Sequence, residues 1–199
     1  MTVRSLMDHR DIHALRILEE IEKNAGFTQR QLASQLDISL GLVNSFIKRL
    51  ARKGYVKITT VPKNRLRYVL TPKGLAEKTR LTYEFIQYSF SFYKTARKRI
   101  KTVLGVVEKD GGRRVVFCGG GDLTEIAYIS LQETQLHMVA IVDDHRSGQK
   151  LLGHTIRRSS VLDSLDYDKI IITSLNSRDA IYQNLLKHGV PASKILGLG

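Results

Sequence analysis

The run RVVFCGGGDLTEIA, from Arg114 to Ala127, sets three consecutive glycines, Gly119, Gly120 and Gly121, between an apolar stretch and an amphipathic one. Glycine lets backbone N–H groups reach a ligand with no side chain between, and a helix starting just beyond adds the positive end of its dipole. The pattern therefore suits a phosphate. Gly119 and Gly121 fill the first two glycine positions of G-x-G-x-x-G, while Thr124 stands at the third. Asp122 and Leu123 open the helix that follows, and Asp143 and Asp144 end the next apolar run, where a carboxylate can meet a ribose hydroxyl. Gly119, Gly120, Gly121, Asp122, Leu123, Asp143 and Asp144 thus form a candidate ligand site, with a purely structural turn as the alternative.

Other reactive groups in this half are sparse. Cys118 ends the apolar run and is the chain's single cysteine, so no intramolecular disulfide or cysteine-cluster metal site can form. It senses oxidants if exposed and is an inert small hydrophobe if buried. His137 lies inside an apolar run, and His145 and His154 flank the segment after it, where a ligand can reach them. No Tyr-x-x-x-Lys pair follows Gly111. The sequence offers no catalytic constellation, and it reads as a binding protein, not an enzyme.

A different chemistry occupies the first half. Residues 1–110 hold 22 Lys and Arg against 10 Asp and Glu, whereas residues 111–199 hold 10 against 9, so the net charge of +13 sits almost wholly in the first half. From Ile38 to Ala76 there is no acidic residue, while Lys48, Arg49, Arg52, Lys53, Lys57, Lys63, Arg65, Arg67 and Lys73 are cationic. A clustered positive field attracts phosphate backbones and gains from counterion release, so the expected partner is double-stranded DNA. A solvated basic face is the plain alternative.

The elements that carry these residues follow from periodicity. DIHALRILEEIEK places Ile12, Leu15, Leu18 and Ile21 at helical spacing, with Asp8 or Asp11 as a cap. Thr28 caps TQRQLASQL, the turn DIS follows, and LGLVNSFIKRLARKG carries Val43, Phe46, Ile47 and Leu50 on one face before Gly54. Two short helices around a three-residue turn read as a helix-turn-helix. Ser39, Leu40, Gly41, Asn44, Ser45 and Lys48 lie on the opposite face of the second helix, near the end that meets base edges. Tyr55 to Val61 and Leu66 to Leu70 then read as a β-hairpin with the basic tip PKNR. Leu75 to Lys109 reads as one long helix, and six of the chain's aromatics crowd into it: Tyr83, Phe85, Tyr88, Phe90, Phe92 and Tyr93. They are too many for one narrow stripe, so at least two faces should find apolar cover, either within the monomer or as a dimer seam. In the second half, strands at Arg114–Gly119, QLHMVAIVDD, YDKIIITS and SKILGL alternate with helices DLTEIAYISLQET and SRDAIYQNLLKHG, which implies a parallel sheet.

Through TQRQLASQLDISLGLVNSFIKRLARKGYV and the hairpin exit YVLTPKG, the stretch from Asp11 to about Leu81 resembles the winged-helix transcription factors of the MarR type. The resemblance implies that Thr28 and Gln29 open the helix that braces the phosphates. It puts Ser39, Leu40, Asn44, Ser45 and Lys48 in the major groove, with Arg49 beside them, and makes Lys63, Arg65 and Arg67 the wing. Through GGGDLTEIA, VAIVDD, LLGHTIRRSSVLDSL, DKIIITS and LLKHGVPASKIL, residues 114–198 resemble the CoA-binding-like domain of nucleotide-sugar epimerases, dehydratases and sugar acyltransferases of polysaccharide biosynthesis. GGGDL gives a looser likeness to redox-sensing repressors that join a winged helix to an NADH-binding domain.

Taken together, these features set the expected fold class. It is an α+β winged helix-turn-helix domain over 1–74, a connector and dimerisation helix over 75–110, and an α/β Rossmann-like domain with a parallel sheet over 111–199. The expected function is a homodimeric transcriptional regulator that senses a nucleotide sugar, NAD(H) or a CoA-like ligand. The rival reading is a DNA-binding protein whose second half only dimerises or docks another protein. No apolar run reaches the ~20 residues of a membrane-spanning helix, and the N-terminus lacks the apolar core of a signal peptide, so the expected location is the cytoplasm.

Overall fold

The structure is a computed structural model that describes residues 7–61, 65–175 and 177–198. The chain divides into two compact units, Met1–Phe90 and Ser91–Gly199.

In the first unit, helix α1 (His9–Lys23) starts where the Asp8 carboxylate accepts the Arg10 N–H, and it buries Leu15, Ile17, Leu18 and Ile21. Helix α2 (Gln29–Leu36) carries a capping box. Gln31 N–H donates to Thr28 Oγ1 at 3.2 Å, and Thr28 N–H donates back to Gln31 Oε1 at 2.8 Å. Asp37 takes a left-handed conformation (φ 52°) to end α2, and Ser39 accepts the Leu42 N–H to begin α3 (Leu40–Arg52). The periodic positions Val43, Phe46, Ile47 and Leu50 are buried, as the spacing requires. Strands β1 (Val56–Val61) and β2 (Arg65–Leu70) pair antiparallel. The hairpin is held to the helices by Tyr68, which is buried, stacks on Phe27 at 5.2 Å and donates its backbone N–H to Ala25 O.

Helix α4 (Pro72–Lys109) begins at Pro72, ahead of the Leu75 that periodicity suggests. Proline suits a first helical position because its missing N–H would have no helical partner there. Thr71 prepares the start: its hydroxyl donates to Gly54 O at 2.7 Å and accepts the Gly74 N–H at 3.0 Å. Leu81 belongs to the core of the first unit, while Ala96, Ile100, Leu104 and Val107 belong to that of the second. Between them no side chain is buried. Tyr93 is half-buried against the core of the second unit, Tyr88 is half-buried, and Tyr83, Phe85, Phe90 and Phe92 are exposed.

The second unit is built on strands β3 (Arg114–Cys118), β4 (His137–Val142), β7 (Lys169–Ile172) and β8 (Ile195–Leu196), all parallel, in the order β4-β3-β7-β8. Helix α5 (Asp122–Leu131) joins β3 to β4, and α6 (Arg178–Lys187) joins β7 to β8. Both sheet faces are covered, which is why the strands are continuously apolar. Val115, Phe117 and Ile171 pack with α4 and α5, while Val116, Cys118, Ile170 and Ile172 pack with Leu162, Leu185 and Val190 on the other face. The segment after β4 holds a small antiparallel ribbon, β5 (Lys150–Leu151) with β6 (His154–Thr155), and a 3₁₀ turn at Ser159–Ser164, neither of which periodicity reveals. Among the described residues, no helix is long and apolar enough to cross a membrane.

Two glycines of α4 give opposite expectations. A Cβ at Gly74 would lie 2.0 Å from the Tyr55 carbonyl oxygen, so Gly74→Ala should cost about 2 kcal/mol through overpacking. A Cβ at Gly105 would meet nothing within 4 Å, so Gly105→Ala should stabilise by about 0.5–1 kcal/mol through helix propensity. Urea denaturation followed by circular dichroism checks both signs.

Candidate functional site

The helix-turn-helix presents its candidate DNA face opposite the core side of α3. Leu40, Ser45, Lys48 and Arg52 are exposed, and Asn44 and Arg49 are half-buried at its margin. Ser39 stands at the start of this face with its hydroxyl committed to the α3 cap. Thr28 likewise spends its hydroxyl on the α2 cap, which leaves the rim of α2 to Gln29. Gln29 Nε2 donates to Tyr68 Oη at 3.0 Å, so this residue also braces the hairpin against α2. The pair encloses a cleft of about 660 Å³ with Phe27, Thr28 and Leu66. Arg67 is exposed on β2. Lys63 lies outside the described residues, and of Arg65 only the backbone, at the start of β2, is described. Tyr68 is the residue that the sequence reading missed here. Its place in the alternating run RLRYVL was the available signal.

In the second unit, the carboxyl ends of β3, β4 and β7 open into a cleft of about 530 Å³. It lies where the strand order reverses, because the chain leaves β3 for β4 on one side and returns to β7 on the other. In open parallel sheets that position is where ligands bind. The cleft gathers Cys118, Gly119, Asp143, Asp144 and His145 from one side, and Ser159, Ser174, Ser177, Asn184 and Lys187 from the others. Of the sequence candidates, Gly119, Asp143 and Asp144 line it. Gly120, Gly121 and Asp122 do not, and Leu123 faces a separate small cavity with Phe92, Arg99 and Arg178.

The glycine turn is tied down by its neighbours. Gly119 has φ +129°, and a Cβ there would lie 2.7 Å from Thr173 O, so both conformation and space require glycine. Thr124, at the third glycine position of the motif, is fully buried. Its hydroxyl donates to Gly119 O at 2.6 Å and lies 2.7 Å from the Thr173 hydroxyl, so a polar clamp stands where a bare backbone approach was expected. Asp143 takes three backbone N–H groups, those of Gly120 (2.8 Å), His145 (3.0 Å) and Arg146 (3.3 Å). Asp144 is exposed, and its two oxygens accept the Ser159 N–H at 2.8 Å and hydroxyl at 2.7 Å, bonds that hold its carboxyl below the usual range.

Cys118 is buried, and burial, followed by the nearby Asp143 and Asp144 charges, pushes its thiol up to about 12. Such a thiol stays protonated near neutrality and is a poor oxidant sensor. His154 Nε2 lies 3.3 Å from Tyr128 Oη, away from the cleft, and His137 is exposed at the start of β4. Among the described residues no cluster of His, Cys, Asp and Glu could hold a metal ion.

Residues 10–57 match the family described as winged helix-turn-helix DNA-binding. The first unit is therefore a winged helix-turn-helix. Residues 111–196 match a second family, C2185-like, N-terminal. An uncharacterized protein of Methanocaldococcus jannaschii, MJ0558, is 31% identical over 120 residues, which cover 58% of this chain and 44% of that protein. The chain thus spans less than half the length of that relative. The fold is similar to a MarR-family transcriptional regulator from Rhodococcus sp. RHA1, at a TM-score of 0.38 and 16% identity over 41% of this chain and 59% of that one. It is similar to the MarR-family regulator SP03579 at 0.37 and 23%, over 50% and 72% of the two chains. A likeness to PigF with SAH extends over 94% of this chain and 72% of that one, at 0.33 and 15%. The assignment of the winged helix-turn-helix rests on its own elements and on the family match.

The Asp144 clamp gives a pH expectation. A carboxyl whose folded pKa lies below its ordinary 3.8 contributes its stability fully above that value and loses it as pH falls through the folded pKa. Asp144→Ala should therefore lower the thermal midpoint at neutral pH, and the gap to wild type should narrow only below about pH 4. Calorimetric scans across that range check the sign.

Proposed function

We propose that the chain is a DNA-binding transcriptional regulator, MarR-like in its first half, whose Rossmann-like second half senses a nucleotide-like metabolite and alters DNA affinity. Nucleotide sugars, NAD(H) and CoA-like molecules are the candidate effectors. The resemblance of residues 114–198 to polysaccharide-biosynthesis enzymes suggests genes of that chemistry as targets. The observation that carries the reading is the pairing of two features in one chain: a winged helix with no acidic residue from Ile38 to Ala76, and a cleft at the reversal point of a parallel sheet. The first suits a polyanion. The second suits a ligand with a ribose or sugar ring, because carboxylate, hydroxyl and amide groups converge there without a reactive centre.

The proposed assembly is a homodimer, supported by the exposed aromatic stretch of α4. Tyr83 and Phe90 are 63% and 61% exposed and Ile86 is 56% exposed, an apolar surface that an isologous contact would cover. A dimer also fits DNA reading through paired half-sites.

One titration tests the reading. Fluorescence anisotropy with labelled duplex should show two protomers per site and an affinity that falls steeply with salt. Lys48→Ala and Arg67→Ala should each weaken binding to all sequences and reduce the salt slope by about 1, whereas Asn44→Ala should change preference among sequences. Adding nucleotide sugars, NAD(H) or coenzyme A should shift the curve. Ala180→Phe, which fills the cleft from an exposed position on α6, should abolish that shift without touching DNA affinity itself. If none of these molecules shifts the curve or binds the free protein, the second half is a scaffold for dimerisation or docking.

A further inference from the structure

In a phosphate-binding glycine turn the backbone N–H groups are free, and the space above them is open. Here the chain itself takes the N–H groups of Gly119 and Gly120 and packs against Gly120. The Gly120 N–H donates to Asp143 Oδ2 at 2.8 Å, and the Gly120 carbonyl accepts from Arg146 Nη1 at 2.7 Å. A Cβ at Gly120 would lie 2.8 Å from Ile156 Cδ1 and 3.3 Å from both Asp143 Oδ2 and Arg146 Cδ. The segment after β4 therefore packs over the turn at Gly120. Conformation and packing against backbone account for Gly119 as a glycine, with no ligand needed, whereas the close neighbours of Gly120 are side-chain ends. Gly121, whose Cβ would meet only Arg146 Nη1 at 3.9 Å, is under no packing demand.

The charges agree with the geometry. Asp122 and Glu125 stand exposed in the first turn of α5, where they already answer the positive end of the helix dipole. With Asp143, which accepts the Gly120 N–H, they make three carboxylates on residues that follow or contact the turn, and Arg146 donates to the Gly120 carbonyl. A phosphate seated there would lose an amide donor to Asp143 and meet like charge on two sides. The neighbouring cleft is different. Asp144 keeps acceptor capacity beyond its two bonds from Ser159, Ser177 and Asn184 add neutral polar groups, and the Cys118 thiol is uncharged, while His145 and Lys187, which are not part of the turn, also stand in the cleft.

We propose that this cleft recognises the neutral, hydroxyl-bearing part of its ligand, a ribose or hexose ring, and that Asp143 keeps the glycine turn closed to phosphate. The proposal rests on the reading that the cleft takes a nucleotide-like molecule, and it narrows that reading. The nucleoside or sugar portion carries the binding, and the phosphate chain adds nothing at Gly119–Leu123.

The test is amide NMR on the full-length ¹⁵N-labelled protein titrated with inorganic pyrophosphate, adenosine, ADP, uridine and UDP. In wild type, neither pyrophosphate nor the diphosphates should move the Gly119 to Leu123 amides beyond what the matching nucleoside does, while each nucleoside should move amides of the cleft. Asp143→Asn removes the charge, and its one oxygen can serve the His145 and Arg146 N–H groups while releasing that of Gly120. In it, pyrophosphate should move those amides, and the diphosphates should gain at least about tenfold over the nucleosides. Should Asp143→Asn fail to fold, the exposed pair Asp122→Asn with Glu125→Gln should give a smaller gain in the same direction. Pyrophosphate shifts at the turn in wild type, diphosphate shifts at the Gly119 to Leu123 amides in wild type beyond those of the nucleoside, or variants that gain nothing would each overturn the closed turn. If no nucleoside or nucleotide moves any cleft amide, the nucleotide-like reading falls and the ring proposal with it, while the pyrophosphate arm still decides the role of Asp143.

Discussion

The second unit depends on the carboxylate of Asp143. Three backbone N–H groups end on it, one from the glycine turn after β3 and two from its own loop after β4, so one side chain fixes how those strand ends meet. A carboxylate can do this because it offers several acceptor sites and no donor, and because each charge-assisted bond is stronger than a neutral one. The same choice sets the chemistry of the region. An internal anion that takes the Gly120 N–H also brings negative charge to the turn, which is the basis of the proposed exclusion of phosphate there.

The polar clamp beside it answers a packing problem. A buried threonine at the third glycine position would be costly if its hydroxyl were unpaired. Thr124 is paired twice, with Gly119 O and with the Thr173 hydroxyl, which binds the start of α5 to the ends of both central strands. The departure from the dinucleotide motif is thus a change in how the junction is held together. It does not weaken the junction.

The first unit solves a simpler problem with ordinary means. Helix caps at Asp8, Thr28 and Ser39 set where the helices begin, and the apolar stripe of α3 sets which side faces outward. Those caps also spend hydroxyls that would otherwise count as DNA contacts. The exposed cations and Asn44 therefore carry more of the proposed readout than the raw inventory of polar residues suggests. Helix α4 contributes to both cores, and between them Tyr83 and Ile86 stay exposed, a surface the proposed dimer would cover.

The sequence by itself determined what is written in local periodicity and charge. The helices of the first unit and their caps, the hairpin, the long helix and the alternation of strand and helix in the second unit all follow from short-range pattern, as does the concentration of positive charge. What happens between distant residues needed the tertiary structure. The Asp143–Gly120 bond spans 23 positions, the Thr124–Thr173 contact 49, and the order β4-β3-β7-β8 places side by side strands that the chain separates. The small ribbon at Lys150–Thr155 carries no periodic signal, because two-residue strands are too short to show one. Whether three glycines cradle a ligand or merely pack depends on which side chain lies over them, and no local spacing can state that. At Gly120 that side chain is Asp143, brought there by a fold whose long-range contacts outweigh any local preference.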